Sequence, residues 1–422
     1  MIHTVAKIHK IASLLCACAL ALVAVGCGGG SLSAVGTGSG GGGTTPPTAN
    51  NVVSVIVDGG PTGALGVFNT PFVTVTVCAP NTTNCQTIDH IQVDTGSSGL
   101  RLISSVVTST VLAALPQVMD SQNRPVAECL PFADGYSWGS VRSVDLTVGG
   151  EKAAAMPTQV IGDPVFPLVP SDCSSGGGTQ EDTVATFGAN GILGISTFQR
   201  DCGSFCVTST TTPGLYFACP NTGCLATTLA LSSQVANPVI LFATDNNGTI
   251  LQLPAIGTAG AATVTGSLIF GIDTESNNSL GTATVLTVDP NTGNLTVLFN
   301  NQTLPNSFID SGSNGNFFTD SSATQCASNS VAPQFYCPSL ALSLSTTIQS
   351  TNAVTKAVTV SVANAVNLLN ANASFVAFDN IAGTNSLPQS FDYGTPFFYG
   401  KSVYTAIELM TTSAGAGPFV AF

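Results

Sequence analysis

Charge, histidine and tryptophan are scarce in this chain. Charged residues make up 7% of its 422 positions, and nine basic residues face 22 acidic ones. No basic patch is available to hold a nucleic acid, so that class of partner is excluded. Of three histidines, His3 and His9 fall in the first ten residues, which leaves His90 for the body of the protein. A Ser-His-Asp or Cys-His centre could be built only around His90, and neither a nucleophile elbow nor a cysteine motif accompanies it. A zinc hydrolase would also be short of ligands. His90 lies in the run Asp89-His90-Ile91-Gln92-Val93 and reads as a surface side chain of a strand. No metal and no cofactor is expected. Long apolar runs are missing too. The one that stands out, Ile11 to Val25, is too short to span a bilayer.

That run follows a basic start with Lys7 and Lys10 and precedes Ala24-Val25-Gly26-Cys27. It reads as a signal peptide over 1–27. Small residues leading to a cysteine resemble the bacterial lipobox, which implies lipidation of Cys27, a membrane anchor and a place in the cell envelope, at the outer membrane or cell surface. An ordinary secretory signal cut nearby is the alternative. Residues 28–51 are Gly, Ser, Thr, Pro and Ala with almost nothing else, the composition of a flexible tether. Without the leader, seven basic residues face 22 acids, a balance of −15.

Cysteines also point to export. Cys16 and Cys18 leave with the leader, and ten remain after Cys27: Cys78, Cys85, Cys129, Cys173, Cys202, Cys206, Cys219, Cys224, Cys326 and Cys337. An even set in an exported protein predicts five disulfides. Cys78 with Cys85 and Cys326 with Cys337 are spaced as local clips. Cys202 to Cys224 should pair internally, with its connectivity open. A metal site there is the poorer reading, because no histidine is near.

Short apolar alternations recur along the body, among them Val52 to Val57, Pro71 to Val77, Val144 to Val148, Leu295 to Phe299 and Val358 to Val362. Clusters such as Asp58-Gly59-Gly60 and Asp289-Pro290-Asn291-Thr292-Gly293 separate them. This is an all-β pattern with hairpins. Helices are expected at Ser104 to Leu115 and Cys224 to Val235, and Ser402 to Met410 fits either strand or helix.

Two strings carry chemistry: Val93-Asp94-Thr95-Gly96-Ser97-Ser98-Gly99 and Ile309-Asp310-Ser311-Gly312-Ser313-Asn314-Gly315, their aspartates 216 positions apart. Each follows a hairpin feeding an apolar strand end, which suggests a duplicated unit that contributes one carboxylate per copy. Two carboxylates a few ångströms apart share a proton and titrate as a pair. The ionised one can take a proton from water while the protonated one donates to a carbonyl. Glycine after each aspartate permits a tight turn, and Thr95, Ser97, Ser98, Ser311 and Ser313 can hold the carboxylates in place. The plain alternative is a pair of Asx turns.

These strings resemble those of the pepsin-like aspartic peptidases, and further segments follow in that family's order. Tyr136-Ser137-Trp138-Gly139-Ser140 is similar to its flap, and Asn190-Gly191-Ile192-Leu193-Gly194-Ile195 to its Gly-Ile-Leu-Gly-Leu step. Gly266 to Asp273, Tyr393 to Phe398 and Gly417 to Phe422 resemble its later segments. The resemblance implies a bilobal all-β fold with a cleft, an N-terminal lobe over 52–272 and a C-terminal lobe over 273–422. It implies an aspartic endopeptidase acting on peptide or protein substrates as a monomer, with catalytic Asp94 and Asp310 and a flap of Tyr136, Ser137, Trp138 and Gly139. A non-catalytic surface binding protein on the same fold is the alternative. Three departures stand out: Arg101 where the family has Trp, Ser137 for a flap Gly, and Asp392 where the second apolar-apolar-Gly step wants an apolar residue.

Overall fold

The computed structural model describes residues 50–422 except 134 and 211–214. The leader, Cys27 and all but the last two residues of the tether lie outside the described residues. Strands dominate the regular structure of the remainder, as the Val- and Thr-rich alternation predicts. The first run of strands is β1 (Val52–Val57), β2 (Pro71–Cys78), β3 (Cys85–Asp94), β4 (Ser98–Ile103), β5 (Val126–Pro131), β6 (Gly135–Val148), β7 (Glu151–Ile161), β8 (Thr179–Gln180) and β9 (Gly191–Ile195). Then come β10 (Tyr216–Ala218), β11 (Leu225–Ala226), β12 (Gly248–Leu253), β13 (Val264–Phe270) and β14 (Val285–Thr287). The second half holds β15 (Leu295–Phe299), β16 (Gln302–Ile309), β17 (Asn316–Phe318), β18 (Leu342–Gln349), β19 (Thr355–Val362), β20 (Ala382–Gly383) and β21 (Phe391–Tyr393). The chain closes with β22 (Lys401–Ala406), β23 (Thr411–Thr412), β24 (Gly415–Ala416) and β25 (Phe419–Ala421).

Two large sheets divide these strands. One, of 16 strands, runs through β1 to β14 and takes in β22 and β25 from near the end of the chain. The other, of seven, holds only β15 to β21. The result is the bilobal all-β architecture expected from the sequence. Alternation is visible strand by strand: in β19, Val358, Val360 and Val362 point inward while Thr359 and Ser361 are exposed. The apolar core runs through both halves, from Val55 and Leu100 to Val297, Phe391 and Ile407.

One motif occurs twice. In the first half, β9 lies between β3, to which it is parallel, and β4, to which it is antiparallel. In the second, β21 lies between β16, parallel, and β17, antiparallel. Each motif places the loop after an aspartate strand beside a strand that arrives from far along the chain. The registers match: Gln92 faces Ile192 in one copy and Phe308 faces Asp392 in the other.

All ten cysteines among the described residues are paired, as Cys78–Cys85, Cys129–Cys173, Cys202–Cys206, Cys219–Cys224 and Cys326–Cys337. Thiols used in this way are not zinc ligands, and the set suits an oxidising compartment. No helix among the described residues is long and apolar enough to cross a membrane.

Local expectations needed correction at three places. Helix over 104–115 shrinks to a 3₁₀ turn at Ser104–Val106 and a helix at Ser109–Ala114. Over 224–235 there is no α-helix: β11 pairs with β10, the Leu229 N–H donates to the Cys206 carbonyl, and only Leu231–Ser233 forms a 3₁₀ turn. Long-range backbone partners there outcompete a modest helical propensity. Finally, β3 carries a bulge at Asp89 and His90 (His90 φ 49°), so plain alternation does not hold along its length. His90 is half-buried, with Asp58 3.2 Å away.

Candidate active site

The two matched motifs bring the aspartate loops face to face. Their contacts are reciprocal. The Ser311 N–H donates to Thr95 Oγ1 (2.9 Å), and the Thr95 N–H donates to Ser311 Oγ (3.1 Å). Thr95 Oγ1 donates in turn to the Ile309 carbonyl (3.2 Å), and Ser311 Oγ to the Val93 carbonyl (2.8 Å). Each hydroxyl thus crosses to the backbone just before the other aspartate, which locks the two loops in register.

Asp94 and Asp310 are both fully buried. The Gly96 N–H donates to Asp94 Oδ1 (2.8 Å) and the Gly312 N–H to Asp310 Oδ1 (2.7 Å). The outer oxygens meet serines: Ser97 Oγ lies 2.6 Å from Asp94 Oδ2 and Ser313 Oγ lies 3.1 Å from Asp310 Oδ2. Glycine is required at both turns by close approach. A Cβ on Gly96 would stand 2.6 Å from Asp310 Cγ, and one on Gly312 2.7 Å from Asp94 Oδ1. Burial, then the neighbouring Asp94 and Asp392, push the Asp310 carboxyl well above its ordinary range, against the pull of the Gly312 N–H. The shift favours the protonated form of Asp310. A recess of about 40 Å³ lined by Thr95, Gly96 and Asp310 has room for a water. A larger cleft of about 620 Å³ runs past Gly96, Ser97, Leu130, Phe198, Asp201 and Leu409.

Ser98 supports the loop from behind: its Oγ lies 2.6 Å from Ser196 Oγ and donates to the Phe198 carbonyl. The hairpin of β5 and β6 carries the flap candidates, and here the four residues separate. Tyr136 is half-buried near the tip, paired with Pro131 on one side and Gln180 on the other. Ser137 is buried and donates to Gln159 Oε1 (3.0 Å). Trp138 is buried among Cys129, Cys173, Phe217 and Cys219, and its Nε1–H donates to the Phe166 carbonyl (2.9 Å). A Cβ on Gly139 would collide with the Val160 carbonyl oxygen. Ser137, Trp138 and Gly139 therefore hold the hairpin together, and Tyr136, half-buried, packs against the cluster around Trp138.

Arg101 is answered by acids that the sequence did not single out. Its guanidinium, wholly buried, lies 2.7 Å from Glu128 Oε1 and 3.2 Å from Asp201 Oδ2, and it donates to the Ser98 carbonyl (2.8 Å). Burial opposes the charge on Arg101, but Glu128 and Asp201 outweigh it and raise its pKa. Burial and Glu128 push Asp201 well above the usual carboxylate range, and the Tyr216 hydroxyl lies 2.6 Å from it. The cluster joins β4, the root of the hairpin and the Cys202 loop. Asp392 was noted only as a departure, yet its carboxyl lies 2.6 Å from Ser313 Oγ, beside the dyad. Its signal in the sequence was the comparison with Ile192 at the matching place.

The sequence profile of a family described as "Protein of unknown function (DUF3443)" matches residues 47–422. No curated protein matches. Among solved structures, an aspartic proteinase from Irpex lacteus is similar at 15% identity with a TM-score of 0.48, over 88% of this chain and 96% of that one.

Proposed function

The chain belongs to the family described as protein of unknown function (DUF3443), and from that premise we propose that it is an aspartic endopeptidase whose water is activated between Asp94 and Asp310. The reciprocal Thr95 and Ser311 contacts carry this reading, because they fix two buried carboxyls against each other and a pair of Asx turns needs no such cross-lobe lock. Asp94 takes a proton from the water as its oxygen attacks the peptide carbonyl. Asp310, already protonated, donates to the carbonyl oxygen, where negative charge develops. The tetrahedral intermediate collapses when the leaving nitrogen is protonated, and the dyad returns to its one-proton state. Tyr136 at the hairpin tip is the residue proposed to close over the bound peptide.

The same reading puts the protein in the cell envelope, held through Cys27 by lipid and the 28–51 tether, and acting as a monomer of two lobes over 52–272 and 273–422. Pepstatin-sensitive cleavage of a denatured protein substrate by the purified body tests the activity. Binding of peptides without any cleavage from acid to neutral pH would favour the non-catalytic surface binder. A fraction test on cells, with and without Cys27→Ser, checks the anchor.

A further inference from the structure

The two halves of the site correspond position by position, and at one buried position an apolar residue is exchanged for an ionisable one. Asp94, Thr95, Gly96 and Ser97 correspond to Asp310, Ser311, Gly312 and Ser313. In the strand beside each loop, Ile192-Leu193-Gly194 corresponds to Asp392-Tyr393-Gly394, with identical registers against β3 and β16. One half thus has an isoleucine where the other has a carboxyl.

The serines respond to the difference. Ser97 lies 2.6 Å from the outer oxygen of Asp94. Ser313 lies 2.6 Å from Asp392 Oδ2 and only 3.1 Å from the outer oxygen of Asp310. The single hydroxyl proton of Ser313 can serve one of these carboxyls at a time. Asp392 is fully buried and its Oδ1 has no partner. Its strand neighbours are Phe308 on β16 and Phe317 on β17, neither of which carries charge. Among titratable groups Asp94 acts on it, and it acts in turn on Asp310. An ionised carboxyl so placed would be costly.

We propose that Asp392 is a positioning residue of the dyad, sharing a proton with Asp310 through the hydroxyl of Ser313 and so breaking the symmetry between the two catalytic halves. Two arrangements balance. In one, Asp392 carries the proton on Oδ2 and donates to Ser313 Oγ, which donates to Asp310 Oδ2. In the other, the Ser313 proton has turned to Asp392, and Asp310 carries a proton of its own and donates to Ser313. Passage between them moves one proton from Asp392 to Ser313 and one from Ser313 to Asp310, with no other bond changed. Burial pushes the Asp392 carboxyl well above the usual range, Asp94 acting in the same sense and Ser313 in the opposite one. The effect on the dyad is to keep its shared proton at a higher pH than two carboxyls alone would, and to keep it on the side of Asp310, Ser313 and Asp392, away from Asp94. Asp94 is then the base in every turnover.

This rests on the peptidase reading for its kinetic consequence but not for its proton chemistry, and the test separates them. Cleavage of a denatured protein by the wild type, Asp392→Asn and Asp392→Ile is followed from acid to neutral pH. Either substitution returns Ser313 to Asp310, as Ser97 serves Asp94, and removes a carboxyl from beside the pair. The alkaline limb of kcat/KM should move to lower pH, so that activity near neutrality relative to the maximum falls about tenfold or more, the least expected of strongly coupled acids. A uniform loss at all pH values with the limb unmoved would mean a structural role and overturn the proposal. If the wild type cleaves nothing, the peptidase reading fails, and carbon-13 NMR of aspartate-labelled protein decides the rest. The highest-titrating carboxyl of the site should titrate lower in Asp392→Asn, and an unchanged titration overturns the proposal. Should both variants fail to fold, Ser313→Ala keeps all three carboxyls and removes the bridge. Its carboxyl titrations should lose their mutual dependence, and retained coupling counts against the relay.

Discussion

At the scale of single residues, the site is a set of short contacts that tolerate little change. Asp94→Asn and Asp310→Asn should each lower kcat by roughly 10²–10⁴-fold, the range of general acid–base catalysis. The double variant should be hardly worse, since either change already destroys the shared-proton pair. Activity near the wild-type level in one single variant would refute the pairing. Gly96→Ala tests the geometry instead of the charge. Its Cβ would fall 2.6 Å from Asp310 Cγ, so it should cost about 1–3 kcal/mol in a denaturant melt, as overpacking does, and abolish cleavage with both aspartates intact. The two aspartates could be read from sequence because Asp-Thr-Gly-Ser and Asp-Ser-Gly-Ser are local strings, each needing only itself to be recognised. Asp392 and the partners of Arg101 could not. Glu128 and Asp201 lie 27 and 100 positions from Arg101, and what makes Asp392 notable is a superposition of two strands that only folding supplies.

At the scale of elements, the hairpin of β5 and β6 is more firmly held than a free flap. Strand β8 pairs in parallel with Gly135 and Tyr136, and the Glu181 N–H donates to the Tyr136 carbonyl (2.8 Å). The Cys129–Cys173 disulfide ties β5 to the segment that leads into β8, closing a separation of 44 residues, while the other four bridges close 4 to 11. In the chain-entropy account it contributes about 4 kcal/mol, and the shortest clip about 2. Paired Cys→Ser substitution at 129 and 173 should therefore lower Tm more than removal of either clip in the Cys202 to Cys224 region. Equal losses would show that loop length does not decide the matter here. Strands were the legible elements, since alternation fixes both type and buried face. The helix expected over 224–235 failed for the opposite reason: its pattern is apolar without a strict period, and the partners of its backbone lie elsewhere in the chain.

At the scale of the whole molecule, buried acids set the response to pH. Burial raises Asp201, Asp310 and Asp392 well above the ordinary carboxylate range. Below that range folded and unfolded chains both hold these protons, and the contribution to stability is complete. As the pH rises, the unfolded chain releases protons that the fold retains, so stability falls through the raised values. Asp120 works the other way, its hydrogen bonds with Arg124 outweighing burial, but burial raises Glu151 and Asp379 as well, so it is one against five. The net charge of −13 adds self-repulsion in the same direction. Tm should thus be higher near pH 4 to 5 than near pH 8, roughly the span from carboxylate titration to full ionisation; a flat or rising profile across that interval would contradict the assignment. The 16-stranded sheet has a different consequence. Its first strand, β1, is paired over six residues with β13, and the same sheet takes in β22 and β25 from the other end of the chain. A pull exerted on the residues before Val52 enters the fold through that six-residue ladder, at a distance along the chain from both aspartate loops. In the anchored protein proposed above, tension on the tether would meet the backbone hydrogen bonds of β1 with β13 and β2 first, as a mooring line meets its cleat, before it reached either aspartate loop.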